Sequence, residues 1–373
     1  MVSLTRRRFV ASFAGLSAGA CLAADNKPGM YPSEIQRYAD EATDFSVFRL
    51  TDPAHQSWLP LAYGRAISKK TEFLIHSSDR SGSVQAYRLE LKSGQSRVLT
   101  QAADLVTGSL TLAPDEHEFA YLAGQLLYMG RTNGVHAREV YRAEEGFQFG
   151  SGFSLSEDGL VAALIEEKPG LSRLRLITMR TGVAATLVES SEPLSDPEAR
   201  PKRAGLLYRK GTEVNTSELW VVNYDGGQNR KLRVAPGSLG TALWSGDGRT
   251  IVYLNLPADR KQLNNIREFT PDTNEDQFVS ATSQFATFSR NPDTSVFVGA
   301  SGSKASPYLL LLVRSVKREL TLCQHRASDP RQVTAFFSPN SQRVIFQSDR
   351  DGKMAIYSIA VERLVEETET EAP

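Results

Sequence analysis

Hydrophobic residues come in short runs along almost the whole chain. Each run is only about four to six residues long and sits between clusters of Ser, Pro, Asp and Gly, which predicts strands rather than helices. One unit recurs: a turn, a β-rich run, a second turn and another β-rich run. Ile67-Ser68-Lys69-Lys70 leads into Phe73-Leu74-Ile75, and Ala113-Pro114-Asp115-Glu116 into Phe119-Ala120-Tyr121. Ser156-Glu157-Asp158-Gly159 precedes Val161–Ile165, and a degraded copy near Asp196-Pro197 precedes Gly205–Tyr208. Ser245-Gly246-Asp247-Gly248, Asn291-Pro292-Asp293 and Ser338-Pro339-Asn340 open the remaining copies. Seven copies at roughly 40 to 50 residues each match a four-stranded propeller blade. The rival, a two-sheet sandwich, does not explain a period held so long. Lys92-Ser93-Gly94, Arg180-Thr181-Gly182 and Asp225-Gly226-Gly227 are hairpin signals, because Gly supplies positive φ.

The expected fold is all-β, a seven-bladed β-propeller over 45–361. A propeller leaves an open sheet edge unless both chain ends share one blade. Phe48-Arg49-Leu50-Thr51 resembles Arg97-Val98-Leu99-Thr100, the outermost strand of the first blade, and the last blade lacks such a strand. Residues 45–51 are therefore expected to close the last blade. A lead-in covers 25–44, with a short helix expected from Pro32 to Thr43 and Ser33 as its N-cap. Residues 362–373 are expected to be an acidic, frayed tail.

Charge and cysteine narrow the function classes. The 43 basic and 43 acidic side chains balance, so the basic excess that nucleic-acid binding needs is missing. No apolar run reaches the ~18–20 residues of a membrane span. Arg6-Arg7-Arg8-Phe9, a short apolar stretch and a small-residue end near Ala24 predict an export signal over 1–24. Thr5-Arg6-Arg7-Arg8-Phe9 fits the twin-arginine form, so a periplasmic or secreted location is expected. A buried N-terminal helix is the alternative. Cleavage would leave Cys323 as the single cysteine and exclude an internal disulfide. Ala18-Gly19-Ala20-Cys21 is a poor lipobox, so a lipid anchor at Cys21 is the lesser expectation.

Ser78-Asp79-Arg80-Ser81-Gly82 with Tyr87, and Ser348-Asp349-Arg350-Asp351-Gly352 with Tyr357, resemble TolB-like propeller repeats. A narrower resemblance, from about 38 to 360, is to the oligogalacturonate lyases. It is carried by Tyr38, Asp40 and Thr43 with Val47, Arg49, Leu50 and Thr51. Glu218-Leu219-Trp220-Val221-Val222-Asn223-Tyr224-Asp225-Gly226 and Arg331-Gln332-Val333-Thr334 before Phe337-Ser338-Pro339 add to it. The resemblance implies breakdown of unsaturated pectin oligogalacturonides by β-elimination, so an oligosaccharide carrying uronates is the expected partner. It also implies a Mn²⁺ held by three histidines and a glutamine, a histidine base and an arginine beside it. Gln332 is the one matched ligand position. Thr334-Ala335-Phe336-Phe337 and Ser283-Gln284-Phe285-Ala286 lack the ligand histidines, Ala242 stands at the base position, and Glu218 replaces the arginine.

Of the five histidines, His55 and His325 match family histidines and are the candidate catalytic groups; each also reads as an ordinary loop histidine. Trp58, Arg331 and Gln332 are the candidate substrate contacts. Trp58, Trp220 and Trp244 could stack on sugars, although tryptophans of propeller strands are more often core. Arg200-Pro201-Lys202-Arg203 and Arg209-Lys210 read either as a solvated face or as a site for uronate carboxylates. Gly15-Leu16-Ser17-Ala18-Gly19 is a chance spelling of a nucleophile elbow, and Gly299–Lys304 lacks phosphate-loop spacing. Asn215-Thr216-Ser217 is a glycosylation sequon. Two function classes follow: a lyase of pectin fragments, or a non-catalytic exported propeller binding a saccharide or a protein.

Overall fold

The computed structural model describes residues 29–211, 217–259, 261–282, 284–362 and 364. The expected export signal, Cys21, Asn215 and Thr216 of the sequon and most of the acidic tail lie outside them. The described residues form seven antiparallel sheets, one per blade. Blade 1 runs outward from Ser57–Trp58 through Phe73–Ser78 and Gln85–Glu90 to Ser96–Val98. The first strands of blades 2 to 7 are Thr111–Leu112, Gln148–Leu155, Leu194–Ala199, Ser238–Trp244, Phe285–Arg290 and Ala335–Phe337. The first strands of blades 3 and 4, 5 and 6, and 6 and 7 pack on one another around the central channel.

Alternation along each strand explains the ring. Successive side chains point to opposite faces of a sheet. In blade 1, Phe73 and Ile75 join a cluster with blade 2, while Leu74 joins one with blade 7. Seven such clusters fill the seven seams among the described residues. Both faces of every sheet are thus buried, which is why the strands read as nearly continuous apolar runs.

The recurring turn also has a physical reason. Ser156 Oγ accepts the Val161 N–H at 3.1 Å and bonds the Asp158 carboxylate at 2.6 Å. Ser245 does the same with Thr250 and Asp247, and Ser338 with Arg343 and Asn340. One hydroxyl and one carboxylate or amide close the hairpin, as side chains of this kind do in tight turns. Gly94, Gly182 and Gly226 adopt φ of 73°, 73° and 80°, as their hairpin signals require.

Closure follows the expected route. Ser46–Arg49 pairs with the last strand, Ala355–Ala360, in the register Val47 to Ile359 and Arg49 to Tyr357. The helix expected over 32–43 is not formed. Gln36–Ala39 instead adds a fifth strand outside Ser46–Arg49, and Met30–Tyr31 adds one outside blade 1. A helix would leave the backbone of Ser46–Arg49 without a partner on its outer side. Arg37 fixes the added strand by donating to Ser46 Oγ at 2.8 Å. The turn of blade 4 is also displaced from its expected place. Asp196-Pro197 lies inside the first strand, and the turn falls at 200–204.

Candidate functional site

The channel has two ends. First strands begin at the loop side and end at the turn side, in the recurring turns that lead into the second strands. The expected site residues gather at the loop side.

His55 precedes the first strand of blade 1. Its Nδ1 stands 3.9 Å from the Asp79 carboxylate, and its side chain is 43% exposed. Trp58, two residues inside the propeller wall from Gln56, pairs with Ser77 and is half-buried. Gln332 ends the 3-10 turn Pro330–Gln332 before the first strand of blade 7, with its side chain exposed. Gln347 joins the two places: its Nε2 donates to the Gln332 carbonyl and its Oε1 accepts the Leu59 N–H, both at 2.7 Å. Trp58 and Gln332 therefore flank the seam between blades 1 and 7. Arg331 is turned onto Asp329 of its own turn at 3.0 Å.

His325 is placed differently. It is fully buried. Its Nδ1 accepts the Ala327 N–H at 3.0 Å, so the proton sits on Nε2, which donates to the Ser301 carbonyl at 3.0 Å. Burial also lowers its pKa. Neither ring nitrogen is open to a proton or a metal ion. Among the described residues no group of three His, Cys, Asp or Glu side chains could hold a metal ion. Gln332, followed by Val333, Thr334, Ala335 and Phe336, has no such donors beside it, so the residues present do not fit a manganese site.

The basic stretch of blade 4 is matched by acids. Arg203 pairs with Asp272 at 2.9 Å, Lys210 with Glu192 at 3.2 Å, and Arg200 bonds the Gly248 carbonyl at 2.6 Å. Arg200 also lies over the Trp244 ring at 4.6 Å. Trp244 is buried in the seam between blades 4 and 5, and Trp220 packs at its side of blade 4 against Tyr208. Glu218 bonds Trp220 Nε1 at 3.1 Å and pairs with Lys231, on the third and fourth strands of its blade.

Sequence reasoning missed the group inside the channel. The first strands of blades 3 to 6 each carry a register shift, at 149–153, 195–198, 239–242 and 285–287. Bulges of this kind re-aim side chains. In blade 4 the bulge holds Asp196 at φ 50° and turns its carboxylate toward Arg209 Nε at 3.6 Å. Arg209 also donates to the Gly240 carbonyl and, at 3.1 Å, to Ser217 Oγ. Arg209 thus stands beside Gly240, just before Thr241-Ala242. Glu198, two residues beyond Asp196 in the same strand, takes the Trp244 N–H on both carboxyl oxygens at 3.2 Å. It is 6% exposed, and burial pushes its pKa up to about 8 against the opposing pull of Arg290. Burial likewise raises Asp196, with Arg209 opposing it. Tyr63, beside both carboxylates, is kept neutral by burial. Two acids flanking Pro197 in an otherwise apolar strand were the available signal.

Glu198 opens into a cavity of about 460 Å³ at the turn side, to which all seven blades contribute. Tyr63, Ser289 and Arg290 share its wall with Leu112, Leu155, Leu243 and Phe336.

No protein-family model matches the chain. It is 23% identical to an oligogalacturonide lyase of Pectobacterium atrosepticum, covering 89% of this chain and 97% of that protein. It is 23% identical to an oligogalacturonate lyase of Dickeya dadantii, covering 86% and 94%. Among solved structures, an oligogalacturonate lyase in complex with manganese superimposes with a TM-score of 0.83 at 21% identity, over 89% of this chain and 97% of that one. The resemblance to the oligogalacturonate lyases therefore holds in sequence and in fold, along nearly the whole described chain.

Proposed function

We propose that this propeller takes unsaturated oligogalacturonides into its channel and cleaves them by β-elimination. The observation that carries the reading is the end-to-end likeness to two lyases of that substrate class, with nearly all of each relative covered. In such a reaction the proton on the carbon alpha to the uronate carboxylate leaves, a carbon–carbon double bond forms, and the bond to the glycosidic oxygen breaks. A base must take the proton and a cation or hydrogen-bond donor must hold the carboxylate. Manganese does not fit the donors present, so no step is routed through it. Asp196, in the first strand of blade 4 and with its side chain about a third exposed, is the base this chain offers. Arg209, at 3.6 Å, orients it. Trp58 and His55 lie at the loop-side entrance, where they can meet the sugar rings. Export to the periplasm belongs to the same proposal and rests on residues 1–24.

The test is purified protein with unsaturated digalacturonate, following loss of the ultraviolet absorbance of the unsaturated uronate with Mn²⁺ and with EDTA. Turnover is expected under both conditions, and Asp196→Asn should lower kcat by about 10²–10⁴. The second reading, a non-catalytic saccharide binder, is favoured by the sealed ring of His325 and the missing metal donors. Saturable binding without turnover would select it.

A further inference from the structure

The turn-side cavity has chemistry that the loop-side residues do not explain. Its volume, about 460 Å³, lies in the range of small-molecule sites. Its walls are apolar, with Leu112, Leu155, Leu243 and Phe336 coming from four different blades. Against them stand a few convergent polar groups. Ser289 is 2% exposed, and its Oγ has no hydrogen-bond partner. Arg290 is held by its Nε to the Trp244 carbonyl at 2.5 Å and by its Nη1 to the Asn291 carbonyl at 3.1 Å. Its Nη2 carries no bond among the described residues. Glu198 accepts a single N–H, from Trp244, among the described residues. Buried polar groups without partners are rare in folded proteins and mark places where something else completes them.

We propose that this cavity is a second ligand site, a subsite for a sugar acid, in which Arg290 and Glu198 hold the carboxylate and Ser289 a ring hydroxyl. The apolar walls suit the CH faces of the ring. The site deepens the reading above, on which it rests only for the substrate class. It lies at the opposite end of the channel from His55 and Gln332 and joins the reaction site through Asp196, two residues before Glu198 in the same strand.

Protonation gives the site a pH dependence. An arriving carboxylate meets Glu198 in its acid form below about pH 8 and a buried like charge above it. The groups facing Glu198 are Arg290, Asp196 and Tyr63. Asp247 and Asp293 face Arg290 from the turns. At the rim, Arg65 is tied to the carbonyls of Leu112, Ser156 and Glu157, and Lys69 to that of Pro114. Glu116 accepts the Lys69 N–H, and Glu157 the Lys202 N–H.

The probe is D-galacturonate, which has no glycosidic bond to break, so turnover does not enter the measurement. Calorimetric titration of the full chain should show saturable binding at pH 6, weaker by about tenfold at pH 9, because only about a tenth of Glu198 is then protonated. Glu198→Gln keeps a donor and should bind equally at both values. Arg290→Lys keeps the charge but loses the fork, and should weaken binding at both. Ser289→Ala should weaken it by a smaller factor without disturbing the fold. No saturable binding, binding by the wild type that is level from pH 6 to 9, or a tenfold loss that persists in Glu198→Gln overturns the proposal. Turnover of the disaccharide without galacturonate binding would sink this site and leave the lyase reading standing; binding without turnover would do the reverse.

Discussion

A carboxyl group buried as deeply as Glu198 acts on stability as well as on ligands. An unfolded Glu titrates near 4.3, and here burial moves it to about 8. The folded state therefore holds this proton more tightly than the unfolded chain. The stabilisation is complete below about pH 4 and is lost as pH rises through 8. A shift of this size corresponds to a few kcal/mol, on the order of 1.4 for each unit. Glu198→Gln should match the wild type in thermal melts near pH 5 and exceed it in Tm near pH 9; equal Tm values at pH 9 would show that the carboxylate is hydrated there. His325 teaches the complementary lesson. Counting histidines in the sequence located it, but the sequence did not reveal that Ala327 and Ser301 occupy both ring nitrogens. His325→Ala should leave a buried carbonyl and N–H unpaired and destabilise the fold by about 1–3 kcal/mol. Denaturant unfolding measures this directly, separately from any change in turnover.

At the scale of elements, the turns do more than reverse the chain. A Cβ on Gly246 would fall 1.8 Å from the Pro292 carbonyl oxygen, and one on Gly248 2.0 Å from that of Pro201. The turn of blade 5 thus seats against the turns of blades 6 and 4, and glycine is required by close approach. Gly248 also sits at φ 68°. Gly124, at φ 55° with nothing within 4 Å, is the natural control. Gly248→Ala should lower Tm by several degrees more than Gly124→Ala, whose loss is about 1 kcal/mol from φ alone. The repeated Ser-x-Asp turns were legible because hydrogen bonding dictates their spelling. Asp196-Pro197 was misread because its composition suits a turn, whereas a bulge in the first strand accepts both residues. The lead-in strand was missed for a related reason. Gln36-Arg37-Tyr38-Ala39 has little intrinsic strand preference and is held by the edge it pairs with.

Across the whole molecule, the period of the hydrophobic pattern predicted the ring, and the likeness of Phe48–Thr51 to Arg97–Thr100 predicted how it closes. Function was less legible, since the channel groups Asp196, Glu198 and Arg209 of blade 4 meet Tyr63 and Arg290, far away in sequence, only when the blades close. Val47 is fully buried in the closing strand. Val47→Asp places a charge in the seam between blades 6 and 7 and should cost more than about 3 kcal/mol. Chemical denaturation should then show a lower midpoint, and limited proteolysis should cut first near Ser46–Arg49.

The N-terminal segment clasps more than one blade. Thr43 Oγ1 donates to the Leu322 carbonyl at 2.9 Å, and Asp40 takes the Gln324 N–H at 2.9 Å, both in blade 6. During synthesis, Ser46–Arg49 leaves the ribosome long before Ala355–Ala360 exists to receive it. The early strand must wait with a bare edge while six blades form behind it. Assembly of this protein is thus a race between the arrival of its last strand and the capture of its first by another chain, and slowing translation late in the message should raise the yield of misjoined dimers.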